Sequence, residues 1–148
     1  MAAATGACRG MSLISAITSR GKMRFMITQK GGVNADVFIE FLKRLITGAR
    51  RVNFLIFDRG PVHVTKKTGA FAEDLNRSLR LFHLPPYSRD RNPDELVWKL
   101  LKADTIGRMA VSSKRDFKSK VRSPTRQLQN NPEIISSFFQ KPSLRYAA

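Results

Sequence analysis

Hydrophobic residues recur along this chain at two spacings, one typical of β-strands and the other of α-helices. The strand-like segments are short apolar runs bounded by turn residues, and the helical segments carry apolar residues at intervals of three and four. The predicted strands are 11–18, 23–28, 52–57 and 79–84, and the predicted helices between them are 35–47 and 66–76. Strands that alternate with helices in this way predict an α/β domain.

The first two strands predict a hairpin, because residues 19–22 between them (Ser-Arg-Gly-Lys) have the composition of a tight turn. Asn34 is a suitable N-cap for the helix that follows, and Gly48 ends that helix. The apolar residues of the helix form one stripe, at Val37, Phe38, Phe41, Leu42, Leu45 and Ile46. This stripe indicates that the helix packs on the sheet.

Two carboxylates lie where predicted elements meet loops. The apolar run 52–57 ends on Asp58, and a helix that begins near Pro93 carries Glu95 in its first turn. Ligands of open α/β sheets bind at the carboxyl ends of strands, where carboxylates from separate elements can share a metal ion. A structural alternative stays open, since an aspartate at a strand end often forms a turn and acidic residues favour a helix N-terminus.

The segments around these acids contain a histidine, an asparagine and several cations. His63 follows Asp58 by five residues and either pins the turn or acts in the chemistry, and Asn92 is a suitable helix cap. Two kinds of cation are present. Three arginines either screen the carboxylates or contact a DNA backbone: Arg59, Arg89 and Arg91. Two lysines of the helix, Lys99 and Lys102, are candidate phosphate contacts.

The segment beyond Gly107 is predicted to be helical and basic. Ser112 or Ser113 can start a helix, Pro124 is expected to interrupt it, and Pro132 opens a short final helix. The cations of this segment are Lys114, Arg115, Lys118, Lys120, Arg122 and Arg126. Such a segment suits contacts to a duplex backbone, whose affinity falls steeply with salt.

Composition narrows the class of partner. The 148 residues include 27 Lys and Arg against 11 Asp and Glu, a net charge of +16, which indicates a polyanion and most simply nucleic acid. An anionic membrane is the poorer candidate, because no basic amphipathic helix, lipid-anchor motif or long apolar run is present. The single cysteine excludes an internal disulfide or a cysteine-based zinc site and suits the cytoplasm, and no export signal is evident.

Taken together, these motifs resemble the catalytic core of mariner-like DDE transposases of bacterial insertion sequences. Thirty-six residues separate Asp58 from Glu95, a spacing similar to that of the family, and the resemblance extends roughly over residues 12–139. The motifs that carry it are Asp58 with His63, Leu84-Pro85-Pro86-Tyr87-Ser88, and Asn92-Pro93-Asp94-Glu95 followed by Val97-Trp98 and Lys102. The resemblance implies a truncated RNase H-like α/β fold, with flanking helices on a mixed sheet of about four strands.

The resemblance also implies a chemistry, namely DNA hydrolysis followed by strand transfer on the ends of an insertion sequence. In such a site two Mg²⁺ or Mn²⁺ ions lie about 3.5–4 Å apart. Asp58 and Glu95 match catalytic, metal-binding acids of the family, and His63 and Asn92 match supporting positions. Arg59, Arg89 and Arg91 depart from the family pattern and, with Lys99, Lys102 and the basic C-terminal segment, are expected to contact double-stranded DNA.

Two features of the family have no counterpart in this sequence: a first catalytic aspartate on a strand before the hairpin, and an N-terminal helix-turn-helix. Asp36 lies in the helix after the hairpin and cannot replace that aspartate. We therefore expect a disordered lead-in over 1–10, a partial catalytic core over 11–110 and a basic helical segment over 111–148. This truncated copy is predicted to be inactive alone and less stable for want of the missing strand.

Two further interpretations of the sequence stay open. A non-catalytic, basic DNA-binding remnant would associate with a full-length transposase, whereas the catalytic interpretation allows a homodimer; both place the protein in the bacterial cytoplasm, at the nucleoid. A small RNA-binding protein would need exposed aromatic residues on a sheet face. The phenylalanines fall mostly at positions predicted to be buried, which disfavours RNA binding.

Overall fold

Five strands and five helices make up the computed structural model, which describes residues 1–8, 11–28, 32–61, 63–75, 77–104 and 113–148. The strands are β1 (Ala2–Cys8), β2 (Met11–Ile17), β3 (Met23–Thr28), β4 (Asn53–Phe57) and β5 (Leu79–His83). The helices are α1 (Ala35–Ile46), α2 (Lys66–Asp74), α3 (Glu95–Asp104), α4 (Lys114–Gln129) and α5 (Pro132–Phe138), with 3₁₀ turns at Arg89–Arg91 and Pro142–Ala147. None of these helices is long and apolar enough to cross a membrane.

All five strands form one mixed sheet in the order β3-β2-β1-β4-β5. The first three are antiparallel neighbours, while β4 is parallel to both β1 and β5. The predicted hairpin is confirmed, with Ile17 paired to Met23 across the turn. The parallel half of the sheet brings the carboxyl ends of β4 and β5 to one edge, where the loops after Phe57 and His83 emerge.

The first residues of the chain correct one prediction. Ala2–Cys8 form β1, at the centre of the sheet between β2 and β4, where the sequence predicted an irregular lead-in. Five strands are therefore present instead of about four. Small residues without hydrophobic alternation gave no strand signal, but the unpaired edges of β2 and β4 offer backbone partners to any extended segment. The expected gap in the sheet does not exist in this structure.

One face of the sheet is covered by α1. Asn34 caps this helix, its Oδ1 accepting a hydrogen bond from the Val37 N–H at 2.9 Å, as predicted. The predicted stripe is buried at Phe38, Phe41, Leu42 and Leu45, whereas Val37 and Ile46 pack at its margin. The core on this face also includes Ile14, Ala16, Leu55, Phe57 and Leu79.

The opposite face is covered by the C-terminal helices. The core here joins β2 and β3 to α3, α4 and α5, and its buried residues include Leu13, Ile17, Val97, Trp98, Leu101, Leu128, Ile135 and Phe139. Residues 114–129 and 132–138 are thus helical, and these two helices share a core with the sheet.

The interruption predicted at Pro124 is wrong, because α4 continues through it. Proline removes one helical hydrogen bond, yet tertiary packing outweighs this cost where the neighbouring turns are buried. Val121 and Leu128 are buried on the same side of α4, and the Thr125 hydroxyl donates to the Val121 carbonyl at 2.7 Å. The helix therefore presents one continuous wall to β3.

Part of the sheet remains open to solvent at the β4–β5 side. Phe54 and Phe82 are 51% and 47% exposed, and their rings stack with centroids 5.9 Å apart. Most other phenylalanines are buried or half-buried, as predicted. This pair is an exception, and it meets the condition of exposed aromatics on a sheet face that RNA recognition would need.

Candidate active site

An open cleft of about 910 Å³ lies at the carboxyl end of the parallel strands. Phe57 is fully buried at the end of β4, so the chain leaves the core at Asp58, and the loop after β5 forms the opposite wall. The residues that line this carboxylate cleft are Asp58, Arg59, Gly60, Pro61, Pro85, Pro86, Tyr87, Ser88, Arg89 and Asp90. Both walls come from segments that the sequence motifs had singled out.

His63 is buried directly beneath Asp58. Its Nδ1 lies 3.0 Å from the Asp58 carbonyl oxygen and 3.2 Å from the Asp58 Oδ1. The imidazole packs between Phe38, with ring centroids 4.5 Å apart, and the edge of Phe57 at 5.1 Å. A side chain held on three sides in this way fixes the turn, so the structure favours the positioning role for His63 over a direct chemical one.

Gly60 is the residue that lets His63 fold back under the turn. A Cβ at position 60 would lie only 3.2 Å from the His63 Nδ1 and 3.3 Å from its Cε1. Real Cβ atoms rarely approach other atoms so closely, so a larger residue would displace the imidazole. The Asp58-Arg59-Gly60 sequence is thus matched to the histidine five residues after the aspartate.

The electrostatic surroundings keep Asp58 ionised. The hydrogen bond and charge of His63, with the charge of Arg89, hold the pKa of Asp58 below its usual value, although partial burial opposes this effect. The Arg89 Nε lies 3.8 Å from the Asp58 Oδ2. The Oδ1 is buried, and the His63 Nδ1 contacts it at 3.2 Å without the alignment of a regular hydrogen bond. A carboxylate oxygen in this position suits a cation ligand.

The pKa of Glu95 is shifted in the opposite direction, above its usual value. Burial raises the pKa of Glu95 and the charge of Asp58 raises it further, while Arg89, Lys102 and Lys99 lower it. The two carboxylates therefore lie within electrostatic range of each other, although they belong to different elements separated by thirty-six residues. An acid whose ionisation is opposed by a neighbouring acid gains from a shared cation.

The start of α3 is fixed to the sheet by two polar residues. Asp94 is fully buried, and the Ser15 hydroxyl of β2 donates to its Oδ2 at 2.6 Å. Asn92 is also buried, and its Oδ1 accepts a hydrogen bond from the Asp94 N–H at 3.1 Å. Together these contacts fix the position of Glu95, the next residue.

Sequence reasoning missed the role of Asp94, which it assigned to the helix dipole. The available signal was Ser15, a hydroxyl in the middle of an apolar strand, because a buried polar side chain requires a partner. A second missed feature is Tyr87, whose backbone φ is +59° and whose ring is wholly exposed at the mouth of the carboxylate cleft. Bulky residues rarely adopt this left-handed conformation.

The structure separates the predicted DNA-contacting cations into four groups. Arg59 and Arg89 line the carboxylate cleft, and Lys99 and Lys102 act electrostatically on Glu95 from α3, with the Lys102 Nζ 5.7 Å from the Trp98 ring centroid. Arg91 is exposed in the 3₁₀ turn, where its carbonyl accepts from the Tyr146 hydroxyl at 2.6 Å. On α4 lie exposed Arg115, half-buried Lys118, and Arg122, which lines a different cleft. The Lys114 side chain lies outside the described residues.

The residues present fit one divalent ion better than two. Mg²⁺ is commonly held by one or two carboxylates together with water and substrate phosphates, and the carboxylate of Asp58 acts electrostatically on that of Glu95. Within the described ranges, no group of three His, Cys, Asp or Glu side chains lies close enough to hold a metal. Asp36 does not contribute, since its carboxylate pairs with Lys67. The seven residues of β1 contain neither Asp nor Glu.

The solved structures that this chain resembles include catalytic domains of a transposase and an integrase. The crystal structure of the Mos1 mariner transposase catalytic domain matches with a TM-score of 0.65 and 14% identity, over 99% of this chain and 80% of that chain. The same domain with raltegravir and Mn matches with a TM-score of 0.65 and 15% identity, over 99% and 81%. The BIV integrase catalytic core matches with a TM-score of 0.52 and 12% identity, over 82% and 80%. These likenesses establish an RNase H-like fold and confirm the predicted fold class.

Sequence comparison identifies the family. A search of curated proteins finds no match. The family model for the DDE superfamily endonuclease, however, matches residues 2–118, which is most of the chain and includes Asp58, His63 and Glu95. This match agrees with the transposase and integrase folds and confirms the resemblance to DDE transposases; the insertion-sequence origin stays a prediction. The chain belongs to the DDE superfamily of endonucleases, a family of transposase- and integrase-like proteins.

Proposed function

We propose that this protein acts in DNA strand cleavage and transfer at the ends of an insertion sequence, with Asp58 and Glu95 as two metal-binding acids. The observation that supports the proposal is the electrostatic effect of Asp58, at the end of β4 and in the lining of an open cleft, on Glu95 at the start of α3. The ionised aspartate and the electrostatically coupled glutamate suit a shared cation. The cleft is open enough to admit a phosphodiester backbone.

Mg²⁺ or Mn²⁺ is the proposed cofactor. The Mos1 catalytic domain has been solved with each of these metals, and hard oxygen ligands such as carboxylates select them. A divalent ion bound between Asp58 and Glu95 would activate the attacking oxygen and stabilise the leaving oxygen of a phosphodiester. Two ions, as the family resemblance implies, would require a further ligand beyond these two acids.

Residues around the acids have supporting roles in this proposal. His63 holds the Asp58 turn, and Asn92 with Asp94 and Ser15 holds the start of α3, so both carboxylates are preorganised. The Arg89 Nε lies 3.8 Å from the Asp58 Oδ2, so Arg89 would compete with a metal for that oxygen. A DNA phosphate would offer the guanidinium an alternative partner and leave Asp58 available to a metal.

We further propose that residues 1–148 alone do not support turnover. The strand β1 precedes the hairpin, as the family's first-acid strand does, but it contains no carboxylate. Ala3 pairs with Phe57 in the parallel register, so Ala4 stands level with Asp58. Position 4 is therefore the position from which a third acid would complete the ligand set.

The test is restoration of the ligand set, followed by supercoiled-plasmid nicking in Mg²⁺ or Mn²⁺. The unmodified chain should show no nicking above a metal-free control. Ala4→Asp should bind Mn²⁺ more tightly, measured by calorimetry, and should gain nicking that Glu95→Gln abolishes. Thr5→Asp is the matched control, since neighbouring strand positions face opposite sides of the sheet. Turnover by the unmodified chain that Glu95→Gln removes would refute the inactivity.

The proposed partner is double-stranded DNA, both transposon ends and target. The net charge of +16 and the cations on both walls of the carboxylate cleft support this choice. A homodimer or a complex with full-length transposase is the proposed assembly, and a solved viral intasome contains a catalytic domain of similar fold. We place the protein in the bacterial cytoplasm, in contact with the nucleoid.

A second candidate function is that of a non-catalytic DNA-binding protein that associates with full-length transposase. The absence of acids from β1 and the proximity of Arg89 to Asp58 favour it. In a gel-shift assay, this role predicts DNA affinity unchanged by Asp58→Asn but lost when the cations between 114 and 126 are neutralised. Competition by single-stranded RNA, sensitive to Phe54→Ser or Phe82→Ser, would instead favour RNA recognition by the exposed aromatic pair.

A further inference from the structure

A second cleft, of about 500 Å³, lies at the opposite side of the sheet from Asp58. It runs along the edge strand β3, between the C-terminal half of α1 and the middle of α4. Its lining includes four arginines, Arg24, Arg44, Arg122 and Arg126. Two strands, β2 and β1, separate β3 from β4, so at about 4.8 Å per strand the cleft is about 14 Å from the Asp58 strand.

The charges of this arginine cleft are largely uncompensated. All four arginines are exposed, and only Arg44 has a carboxylate partner among the described residues, the Glu40 Oε1 at 3.2 Å. No Asp or Glu side chain lines the cleft. By contrast, the carboxylate cleft contains Asp58 and Asp90 beside its cations. The arginine cleft is thus a concave surface of one sign, which concentrates the field of its cations.

The arrangement on α4 is unfavourable for the helix by itself. Arg122 and Arg126 are four residues apart and so lie on one face, where like charges destabilise a helix. One turn earlier, the same helix neutralises a cation with the same spacing, because the Lys120 Nζ donates to the Asp116 Oδ2 at 2.8 Å. The helix thus carries one attractive pair, Asp116 with Lys120, and one repulsive pair, Arg122 with Arg126. The repulsive pair indicates that an anion outside the chain balances the two arginines.

The walls of the cleft are held in place by contacts between the helix and the edge strand. The Gln129 side chain donates from its Nε2 to the Met23 carbonyl at 2.9 Å, and Leu128 is buried in the core shared with Met23. Phe41, fully buried on α1, supports the other side. Guanidinium groups on fixed supports suit the bidentate binding of phosphate oxygens.

We infer that the arginine cleft binds the phosphodiester backbone of duplex DNA, at a site separate from the carboxylate cleft. The inference rests on the proposed DNA substrate but not on the metal chemistry. An open groove with cations on two walls suits an extended polyanion better than a single small ion. In this arrangement, one duplex segment would occupy the carboxylate cleft while another segment contacts β3 and α4.

Fluorescence anisotropy of a labelled duplex with the full chain in EDTA tests this inference without any metal-dependent step. Arg122→Gln with Arg126→Gln should weaken binding about tenfold or more at 0.1 M salt and reduce the salt slope by about 0.9 for each lost phosphate contact. The matched control is Arg77→Gln with Arg80→Gln, an equal charge change at the far sheet edge beside β5. Adding Arg24→Gln to the Arg122 and Arg126 substitutions should weaken duplex binding further.

The outcomes separate the alternatives. Equal losses for the two pairs would overturn the inference, because net charge alone would then account for binding. Competition by inorganic phosphate at concentrations comparable to those of duplex phosphates would also overturn it, since a small-anion site would then suffice. A selective loss for the α4 pair, with a reduced salt slope, supports the cleft even if nicking by Ala4→Asp fails. Conversely, metal-dependent nicking that survives the α4 substitutions would leave the proposed chemistry intact.

Discussion

The carboxylate cleft and the arginine cleft differ in how their charges are balanced. In the first, the Arg89 Nε lies 3.8 Å from the Asp58 Oδ2, and Asp58 and Arg89 both act electrostatically on the neighbouring Glu95, so cations and anions are mixed. In the second, cations on three elements line the cleft, no acid is among its lining residues, and only Arg44 has a carboxylate partner in the described part of the chain. A mixed site can hold a metal and a phosphate together, whereas a site of one sign can only attract a polyanion.

The two clefts also differ in how they are built. The carboxylate cleft is assembled from the ends of elements, and its residues cluster in two sequence segments, 58–61 and 85–90. The arginine cleft draws residues from 24 to 129, on positions in the middle of a strand and two helices. The proposed metal chemistry thus uses short loops supported by buried polar contacts, while the proposed backbone binding uses the surface of regular elements.

The largest expected difference between the two clefts is in their contribution to Mn²⁺ affinity. Asp58→Asn should reduce Mn²⁺ affinity by about 100-fold or more, a larger loss than the ~10–100-fold typical of outer-shell substitutions. Calorimetry with Mn²⁺ measures it. Asp90→Asn is the matched control, because Asp90 lines the same cleft but is not coupled to Glu95. The paired Arg122 and Arg126 substitutions should leave Mn²⁺ affinity unchanged, and an equal loss for Asp90→Asn would contradict the assignment.

The arginine cleft depends on docking of the C-terminal helices, which Gly21→Ala should disturb. Gly21 has a φ of +80°, and a Cβ there would lie 2.3 Å from the Pro132 carbonyl oxygen of α5. The backbone strain and the clash together should lower the free energy of unfolding by about 2–4 kcal/mol, measured by urea denaturation.

Gly69→Ala provides the control for that substitution. Gly69 lies within α2, and a Cβ there would meet nothing within 4 Å. Alanine should therefore stabilise the chain by about 0.5–1 kcal/mol, because glycine is a poor helix former. Similar destabilisation by both substitutions would show that α5 does not pack against the β2–β3 turn as described.

The buried hydrogen bond between Ser15 and Asp94, which fixes the start of α3, is tested by Ser15→Ala. The substitution removes the 2.6 Å hydrogen bond to the buried Asp94 and should cost about 1–3 kcal/mol in unfolding free energy. It should also weaken Mn²⁺ binding, because Glu95 follows Asp94 directly. Ser12→Ala, at another buried serine of β2, is the comparison. Loss of stability without any loss of Mn²⁺ affinity would remove the positioning role.

Sequence patterns predicted the elements with strong periodicity and the motif residues at their ends. The hairpin, the α1 stripe, the strand ending at Asp58 and the α5 start at Pro132 were predictable because local propensity and tertiary packing agree there. The roles of Asp58 and Glu95 stay a prediction; Asp58 lines the carboxylate cleft, and its charge acts on Glu95. The family resemblance, rather than periodicity, pointed to them.

The features that the sequence did not predict depend on distant partners. The β1 strand consists of small residues and forms between two strands that would otherwise have open edges. The continuation of α4 through Pro124 follows from burial of Val121 and Leu128. The arginine cleft brings Arg24 next to Arg126, and no local pattern relates residues a hundred positions apart.

The smallest expected effect concerns the pH dependence of stability, where the two acids should behave oppositely. The pKa of Asp58 is lowered by folding, so its stabilisation is present above its ordinary pKa of 3.8 and is lost as pH falls through the lower folded value. The pKa of Glu95 is raised, so ionising it above its ordinary pKa of 4.5 destabilises the fold. Glu95→Gln should therefore slightly stabilise the metal-free chain at pH 7, because solvent screens this half-exposed group.

That stabilisation should disappear as the pH is lowered below the ordinary pKa of Glu95, since the glutamate is then protonated in both the folded and the unfolded chain. Asp58→Asn should show the reverse, with a loss of stability at pH 7 that shrinks toward acid pH. Urea denaturation of the three chains from pH 3 to pH 7 measures both trends. Saturating Mn²⁺ should invert the Glu95→Gln result, because only the carboxylate binds the metal and ligand binding stabilises the folded state. If Mn²⁺ stabilised the glutamine variant as much as the unmodified chain, Glu95 would not be a ligand, and the electrostatic contrast between the two clefts would no longer indicate a metal site.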